Sequence, residues 1–273
     1  MNKFKVCVEQ YHDLAASLLQ TGGGEGREDD FFMAIERGDV EGVKCILSSI
    51  QPLDIKSWVN LKKADETRDT PLIIAASRGY PELVKLLIQM GADPTVTNAN
   101  NITSLHVTKD NCRELIIKSA TRTPSKTTAL ITSSWLGNKF TVEDILKRGQ
   151  VDVNTRNLDY FTPLLLVTRD IQIFDKISFD DTVEYDPVHV AAELISYNTN
   201  VMKACDDLGR NAVHLAAGHT GPTAQKLVDL LLNNCVDEEV ELKDSRANTP
   251  LHYATQSGDR EIEKGDILRY IFL

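Results

Sequence analysis

The chain has 273 residues, 42% of them hydrophobic and 26% charged, which is enough apolar material for one or two globular domains or one elongated array. A formal charge of −10 argues against a generic nucleic-acid surface, which needs clustered Lys and Arg. Aromatics at 6% are sparse for an all-β sandwich and suit helices packed through Leu, Ile, Val and Ala.

In chain order, residues 1–20 can form an amphipathic helix through Val8, Tyr11, Leu14 and Leu18, and TGGGEGRED reads as a flexible linker. Residues 1–28 are therefore expected to be an N-terminal helix and Gly-rich linker. They lack the long apolar core of a signal peptide, and no apolar run in the chain approaches the roughly 18–20 residues of a membrane span. The glycine cluster is not followed by the Lys-Ser/Thr pair of a phosphate-cradling loop. From Phe31, FFMAIERGDVEGVKCIL alternates as a helix pair broken at Gly38.

The clearest segment begins at Asp69: D-T-P-L-I-I-A-A-S-R-G-Y-P-E-L-V-K-L-L-I-Q-M-G-A-D-P. Thr70 is placed to N-cap a short helix with Pro71 at its first position, and Gly79 ends it where a positive φ is needed. Pro81 then starts a second helix with Leu83, Val84, Leu86 and Leu87 on one face. Thr95 to Asn101 reads as a hairpin-like finger. T-S-L-H follows at Thr103, T-A-L-I at Thr128, T-P-L-L at Thr162, N-A-V-H-L-A-A at Asn211 and T-P-L-H-Y-A at Thr249. One such helix pair cannot bury its own apolar faces, so stacking is obligatory.

This pattern resembles the ankyrin repeat, with its period of about 33 residues and T-P-L-H-x-A signature. The resemblance implies an all-α solenoid of stacked helix-turn-helix units with short β-hairpin-like fingers over residues 29–273. Seven repeats can be drawn: 29–66, 67–99, 100–124, 125–158, 159–207, 208–245 and 246–273. The third is short, and its second helix, Cys112 to Ser119, is expected to be stunted or skewed. The fifth carries an acidic insert over 171–186, read as a solvated loop because it lacks the spacing of a calcium site. The last repeat loses its second-helix pattern, and RYIFL looks unlike a polar cap.

No catalytic constellation stands out. The five cysteines are scattered without a CxxC pair, so reduced thiols are expected, with no metal or cofactor, in a cytoplasmic or nuclear protein. The resemblance implies that His106, His214 and His252 tie adjacent repeats together. It further implies a monomeric, non-enzymatic adaptor that binds a protein partner in a concave groove, with neither nucleic acid nor membrane insertion involved. Carried over by register, the groove residues include Met33, Arg37, Ile74, Ser77, Arg78, Trp135, Leu136, Arg169, Asp170 and Tyr253. Trp135 reads either as a groove anchor or as filler for the space left by the short third repeat. L-K-R-G-Q-V-D-V-N, ending at Asn154, resembles the ankyrin sequence that an oxygen-dependent asparaginyl hydroxylase modifies, which implies hydroxylation there. The alternative reading is the recognition segment of a larger protein, such as a ubiquitin-ligase substrate receptor, a channel's cytoplasmic domain or a pathogen effector. An enzyme core would not fit in the 28 residues outside the repeats.

Overall fold

The computed structural model describes residues 24–108, 110–120, 126–149, 151–179, 183–197, 203–235 and 242–258. The chain divides into two compact bodies, Met1–Ser119 and Ala120–Leu273. In the first, α1 (Gly24–Arg37) pairs with α2 (Val40–Ser48), a short α3 (Ile55–Val59) follows, and α4 (Pro71–Arg78) pairs with α5 (Pro81–Gln89). A four-residue α6 (Ser104–Val107) leads into α7 (Asp110–Ala120). First helices stack on first helices, α1 on α4 and α4 on α6, and α2 stacks on α5. Phe31, Ile35, Leu72, Leu83 and Leu87 are fully buried along the seam.

The second body repeats the arrangement. Its helices are α8 (Lys126–Trp135), α9 (Lys139–Arg148), α10 (Pro163–Arg169), α11 (Ile171–Phe174), α12 (Pro187–Tyr197), α13 (Ala212–Ala217), α14 (Pro222–Leu232) and α15 (Pro250–Ser257). The inner row runs α8, α10, α13, α15 and the outer row α9, α12, α14. Among the described residues there is no strand, only an isolated antiparallel bridge between Asn138 and Tyr185.

The inner helices α4, α6, α10, α13 and α15 each start at a Thr or Asn cap. Thr70 and Thr162 accept hydrogen bonds from the N–H groups of Ile73 and Leu165, and Pro stands at the first helical position of α4, α10 and α15. At α6, α13 and α15 the capping is reciprocal, because the third helical residue is histidine. The backbone N–H groups of Thr103, Asn211 and Thr249 donate to Nδ1 of His106, His214 and His252 at 3.0, 3.3 and 3.1 Å. His214 also reaches the next repeat, its Nε2 donating to the Asn248 carbonyl at 3.2 Å.

The finger before each cap is built on one side-chain oxygen. Oδ1 of Asn98, Asn157, Asp206 and Asp244 accepts from the backbone N–H two residues on and again four residues on, all at 2.8–3.0 Å. The residue three positions on is left-handed in every case: Asn101, Tyr160, Gly209 and Ala247. Glycine enters that region at no steric cost, whereas a residue with a Cβ loses about 1–2 kcal/mol. Neighbouring fingers are stitched by Ala99 N–H to the Thr67 carbonyl and Ser245 N–H to the Leu208 carbonyl.

Three expectations are corrected. Helix α1 begins at Gly24, inside the stretch read as linker, because Glu25, Arg27 and Glu28 supply good helix formers between the glycines. The shortening of the third repeat falls on its first helix, not its second: α6 has four residues and α7 eleven. The insert of the fifth repeat is not merely a solvated loop, as described below. The expected helix over residues 1–20 and the RYIFL segment lie outside the described residues.

The Asn157→Ala variant leaves the N–H groups of Asp159 and Phe161 without their acceptor, and Phe161 is buried. A stability loss of about 2 kcal/mol is expected in urea unfolding; an unchanged midpoint would show that the turn holds without its amide.

Candidate interaction surface

In each repeat the last turn of the inner helix lies in one register. That rung is Glu36-Arg37 in the first repeat, Ser77-Arg78 in the second, Trp135-Leu136 in the fourth, Arg169-Asp170 in the fifth and Gly218-His219 in the sixth. The first two repeats and the fourth and fifth treat it in opposite ways. In the first body Arg37, Ser77 and Arg78 are exposed, and Met33, one turn earlier, is 42% exposed. Lys63 reaches Glu36 and Asp65 at 2.8 and 3.0 Å. Glu36 and then Asp65 hold its ammonium charged, raising its pKa above the usual lysine value. The Thr67 hydroxyl, followed by Lys63, holds Asp65 down at about 2.

In the fourth and fifth repeats, within the second body, the rung is sealed. Trp135 is 1% exposed, and Leu136, Arg169 and Asp170 are buried with it. The Trp135 indole Nε1 donates to Oδ2 of Asp170 at 2.6 Å, and Arg169 Nη2 reaches the same oxygen at 2.6 Å. The Arg169 guanidinium lies 4.7 Å from the Phe161 ring centre, while its backbone carbonyl accepts from His219 Nε2 at 2.7 Å. A polar ladder thus runs across three repeats inside the protein, where unscreened interactions are strong and a missing partner costs most.

The insert forms the cover. Helix α11 follows directly on Asp170 and brings the buried Phe174 edge-on to Trp135 at 5.3 Å. Phe179 stacks on Tyr185 at 5.3 Å and on Phe174 at 6.0 Å. The returning backbone is pinned to the turn of the fourth repeat, Lys139 N–H donating to the Glu184 carbonyl and Asp186 N–H to the Gly137 carbonyl. The Tyr185 hydroxyl donates to Asp175 at 2.8 Å. Burial, and then that carboxylate, push its pKa upward. Gly137 is left-handed, and a Cβ there would meet the Tyr185 ring at 2.8 Å, so the insert fits a surface shaped for it.

The residues expected in the groove therefore separate. Arg78 is exposed in the first body. Ile74 is buried where first helices stack, Trp135 is buried against Phe174 of the insert, and Leu136, Arg169 and Asp170 are buried beside it, so all five side chains are withdrawn from the surface. Trp135 fills the core, but against Phe174 and Asp170 of the fifth repeat. Tyr253 is half-buried: its hydroxyl donates to Asp244 at 2.7 Å and its ring stands edge-on to His214. Asn154 sits half-buried in a finger with its backbone N–H donating to Asp152. Met33, Arg37 and Ser77, which the same register assigns to the groove, form the more open set, whereas sequence reasoning missed the packing of the insert's aromatics on Trp135 and on one another, with Phe174 buried. The signal for the latter was Phe174, Phe179 and Tyr185 spaced among the acids. Among the described residues no group of three or more His, Cys, Asp or Glu is arranged to hold a metal ion. No helix there is long and apolar enough to cross a membrane.

A family model of ankyrin repeats in three copies matches residues 6–98, 31–157 and 181–268. The chain belongs to the ankyrin-repeat family, whose repeats are in general protein-interaction modules. It is similar to the transient receptor potential cation channel subfamily A member 1 homolog of Caenorhabditis elegans, with 24% identity over 255 residues, 86% of this chain and 20% of that one. Rabankyrin-5 of Mus musculus is 29% identical over 206 residues, 75% of this chain and 14% of that one. The chain thus spans a small part of the curated relatives it matches over most of its length. A crystal structure of the ankyrin repeat domain of Bcl-3, a member of the IkappaB family, is 22% identical with a TM-score of 0.39, covering 88% of this chain and 97% of that one.

Truncating the indole (Trp135→Ala) should cost about 3–5 kcal/mol in chemical unfolding, as for a fully buried core aromatic. A loss below about 0.5 kcal/mol would mean that the side chain is not core.

Burial lowers the pKa of both His214 and His219 below 6.5, so each favours the neutral form in the folded chain. Their contribution is complete above the unfolded value of 6.5 and is lost as pH falls through the folded values. The melting temperature should be flat above pH 6.5 and decline below it, and the His219→Gln variant should decline less steeply. Identical slopes in scanning calorimetry would remove His219 from the account.

Proposed function

We propose that this chain is a non-enzymatic scaffold that binds a protein partner on the inner-helix face of its first body, around Met33, Arg37, Ser77 and Arg78. One observation carries the reading: the same rung of the repeat is exposed at Arg37, Ser77 and Arg78 in the first two repeats and buried in the fourth and fifth, where the insert packs. A rigid stack that leaves a methionine and two arginines at the surface offers the adaptable apolar contact and planar hydrogen-bond donors that anchor protein interfaces. The Glu36–Lys63–Asp65 cluster beside them provides a charged rim. The family supports a binding module in general, and the choice of face rests on the exposure pattern.

The double variant Arg37→Glu, Arg78→Glu tests it. Immobilised wild type and variant are compared for capture of proteins from extracts of the native cells, quantified by mass spectrometry. The variant is expected to lose a stoichiometric partner that wild type retains, with a melting temperature within about 2 °C. An identical captured set would overturn the assignment of this face.

A further inference from the structure

The contacts that close the insert of the fifth repeat meet at one tyrosine. Tyr185 stacks on Phe179 at 5.3 Å and lies 6.2 Å from Phe174. Its backbone bridges to Asn138, and on either side the Lys139 and Asp186 N–H groups donate to the Glu184 and Gly137 carbonyls. Its ring lies where a Cβ on Gly137 would collide with it, at 2.8 Å. The side chain is half-buried, yet its hydroxyl donates to the exposed Asp175 at 2.8 Å.

Negative charge collects at that hydroxyl. Among the described residues of the insert and of the turn at 137–139, the charged groups are Asp175, Glu184 and Asp186 against Lys139 and Lys176. Lys139 is drawn to Glu184 at 3.3 Å, whereas the carboxylates of Asp175 and Asp186 act on the Tyr185 hydroxyl. Tyr253 also donates to a carboxylate, that of Asp244, but there Arg210 acts in the opposite sense. Of the seven tyrosines, only Tyr185 has an acidic residue on each side in sequence, Glu184 and Asp186. Such a flank suits an enzyme cleft of positive charge.

We propose that Tyr185 is a phosphorylation site for a tyrosine kinase with a basic substrate cleft, and that the phosphate releases residues 183–186 from the turn of the fourth repeat. In the transfer the bond from Tyr185 Oη to phosphorus forms and the γ-phosphorus of ATP parts from its bridging oxygen. ADP leaves, and the phenol proton passes to the kinase. The segment reaches the enzyme because two backbone bonds in a loop open at little cost. Reclosing then sets a group of about −2 charge against Asp175, and the oxygen no longer has a proton to donate. Three carboxylates outnumber the two lysines around it, so the phosphate favours the lifted form. Lifting uncovers the Phe174 ring beside Trp135.

The full chain is incubated with ATP and purified tyrosine-kinase domains of basic or acidic substrate cleft, and the modified residues are located by tandem mass spectrometry. With the basic-cleft domains, Tyr185 is expected to react at least about threefold faster than the more exposed Tyr160 and Tyr197. Hydrogen exchange at the Lys139 and Asp186 amides should then accelerate at least about tenfold, while in unmodified Tyr185→Phe it stays within about threefold of wild type. Asp175→Asn, which keeps the acceptor and removes the charge, should return the phosphorylated chain most of the way to the unmodified rate. No phosphate at Tyr185, or faster reaction at Tyr160, Tyr197 or with the acidic-cleft domains, would overturn the proposal. So would exchange that is unchanged or slowed by the phosphate, slowing being the sign that Lys139 or Lys176 pairs with it and locks the insert. Exchange in Tyr185→Phe as fast as in the phosphorylated chain, or no recovery in Asp175→Asn, would show that repulsion is not the cause and would overturn it equally. Arg37 and Arg78 enter none of these readouts, so the face of the first body is tested separately.

Discussion

The fold depends on one side-chain oxygen per finger. Oδ1 of Asn98, Asn157, Asp206 or Asp244 collects two backbone N–H groups that the tight turn would otherwise leave unsatisfied. The N-cap of the next inner helix stands five residues after the base, so the same oxygen fixes where that helix begins. Asp244 shows how strongly the arrangement favours the ionised acceptor. Burial alone would raise its pKa, but bonds from Tyr253, Asn248 and Arg246 hold it at about 2. Side-chain and backbone bonds from one finger to the next then carry the register along each stack, as with Asn98 Nδ2 donating to Asp69 at 2.7 Å.

Much of this was legible in the sequence because it is local and periodic. The T-P-L-H-like tetrads mark caps, the paired alanines mark the close approach of first helices, and the second-helix leucines mark the buried stripe. What escaped was what depends on contacts between repeats. Ile74 and Leu136 lie at positions where a neighbouring helix or an insert decides between burial and exposure, and register alone cannot make that choice. The insert was misjudged because acidic residues dominate its composition. Phe174 packs on Trp135, Phe179 and Tyr185 stack behind it, and Asp175 accepts from the Tyr185 hydroxyl, contacts visible only once both partners are placed.

The insert also explains why a buried ion pair is tolerated in the second body. Arg169 and Asp170 are neighbours in sequence, so their pairing adds little loop-closure cost, and Asp170 gains a second donor in the Trp135 indole. Such a pair need not add net stability, since desolvation consumes much of the attraction. Its effect here is directional. Only the native stacking brings the indole of the fourth repeat, the carboxylate of the fifth and the imidazole of the sixth into one chain of hydrogen bonds. Purely apolar rungs would pack in several offsets; this ladder fits one.

The two bodies therefore divide what a uniform array would do everywhere at once. Covering the inner-helix rung of the fourth and fifth repeats removes it there as a contact surface. Among the described residues of the first body, Arg37, Ser77 and Arg78 stay exposed. A repeat scaffold changes what it presents less by altering the stack than by adding or withholding one segment beside it, because stacking faces are constrained by both neighbours and a loop is constrained by neither. Residues 171–186 are that segment. Phe174, Phe179 and Tyr185 within it supply the aromatic packing that covers Trp135.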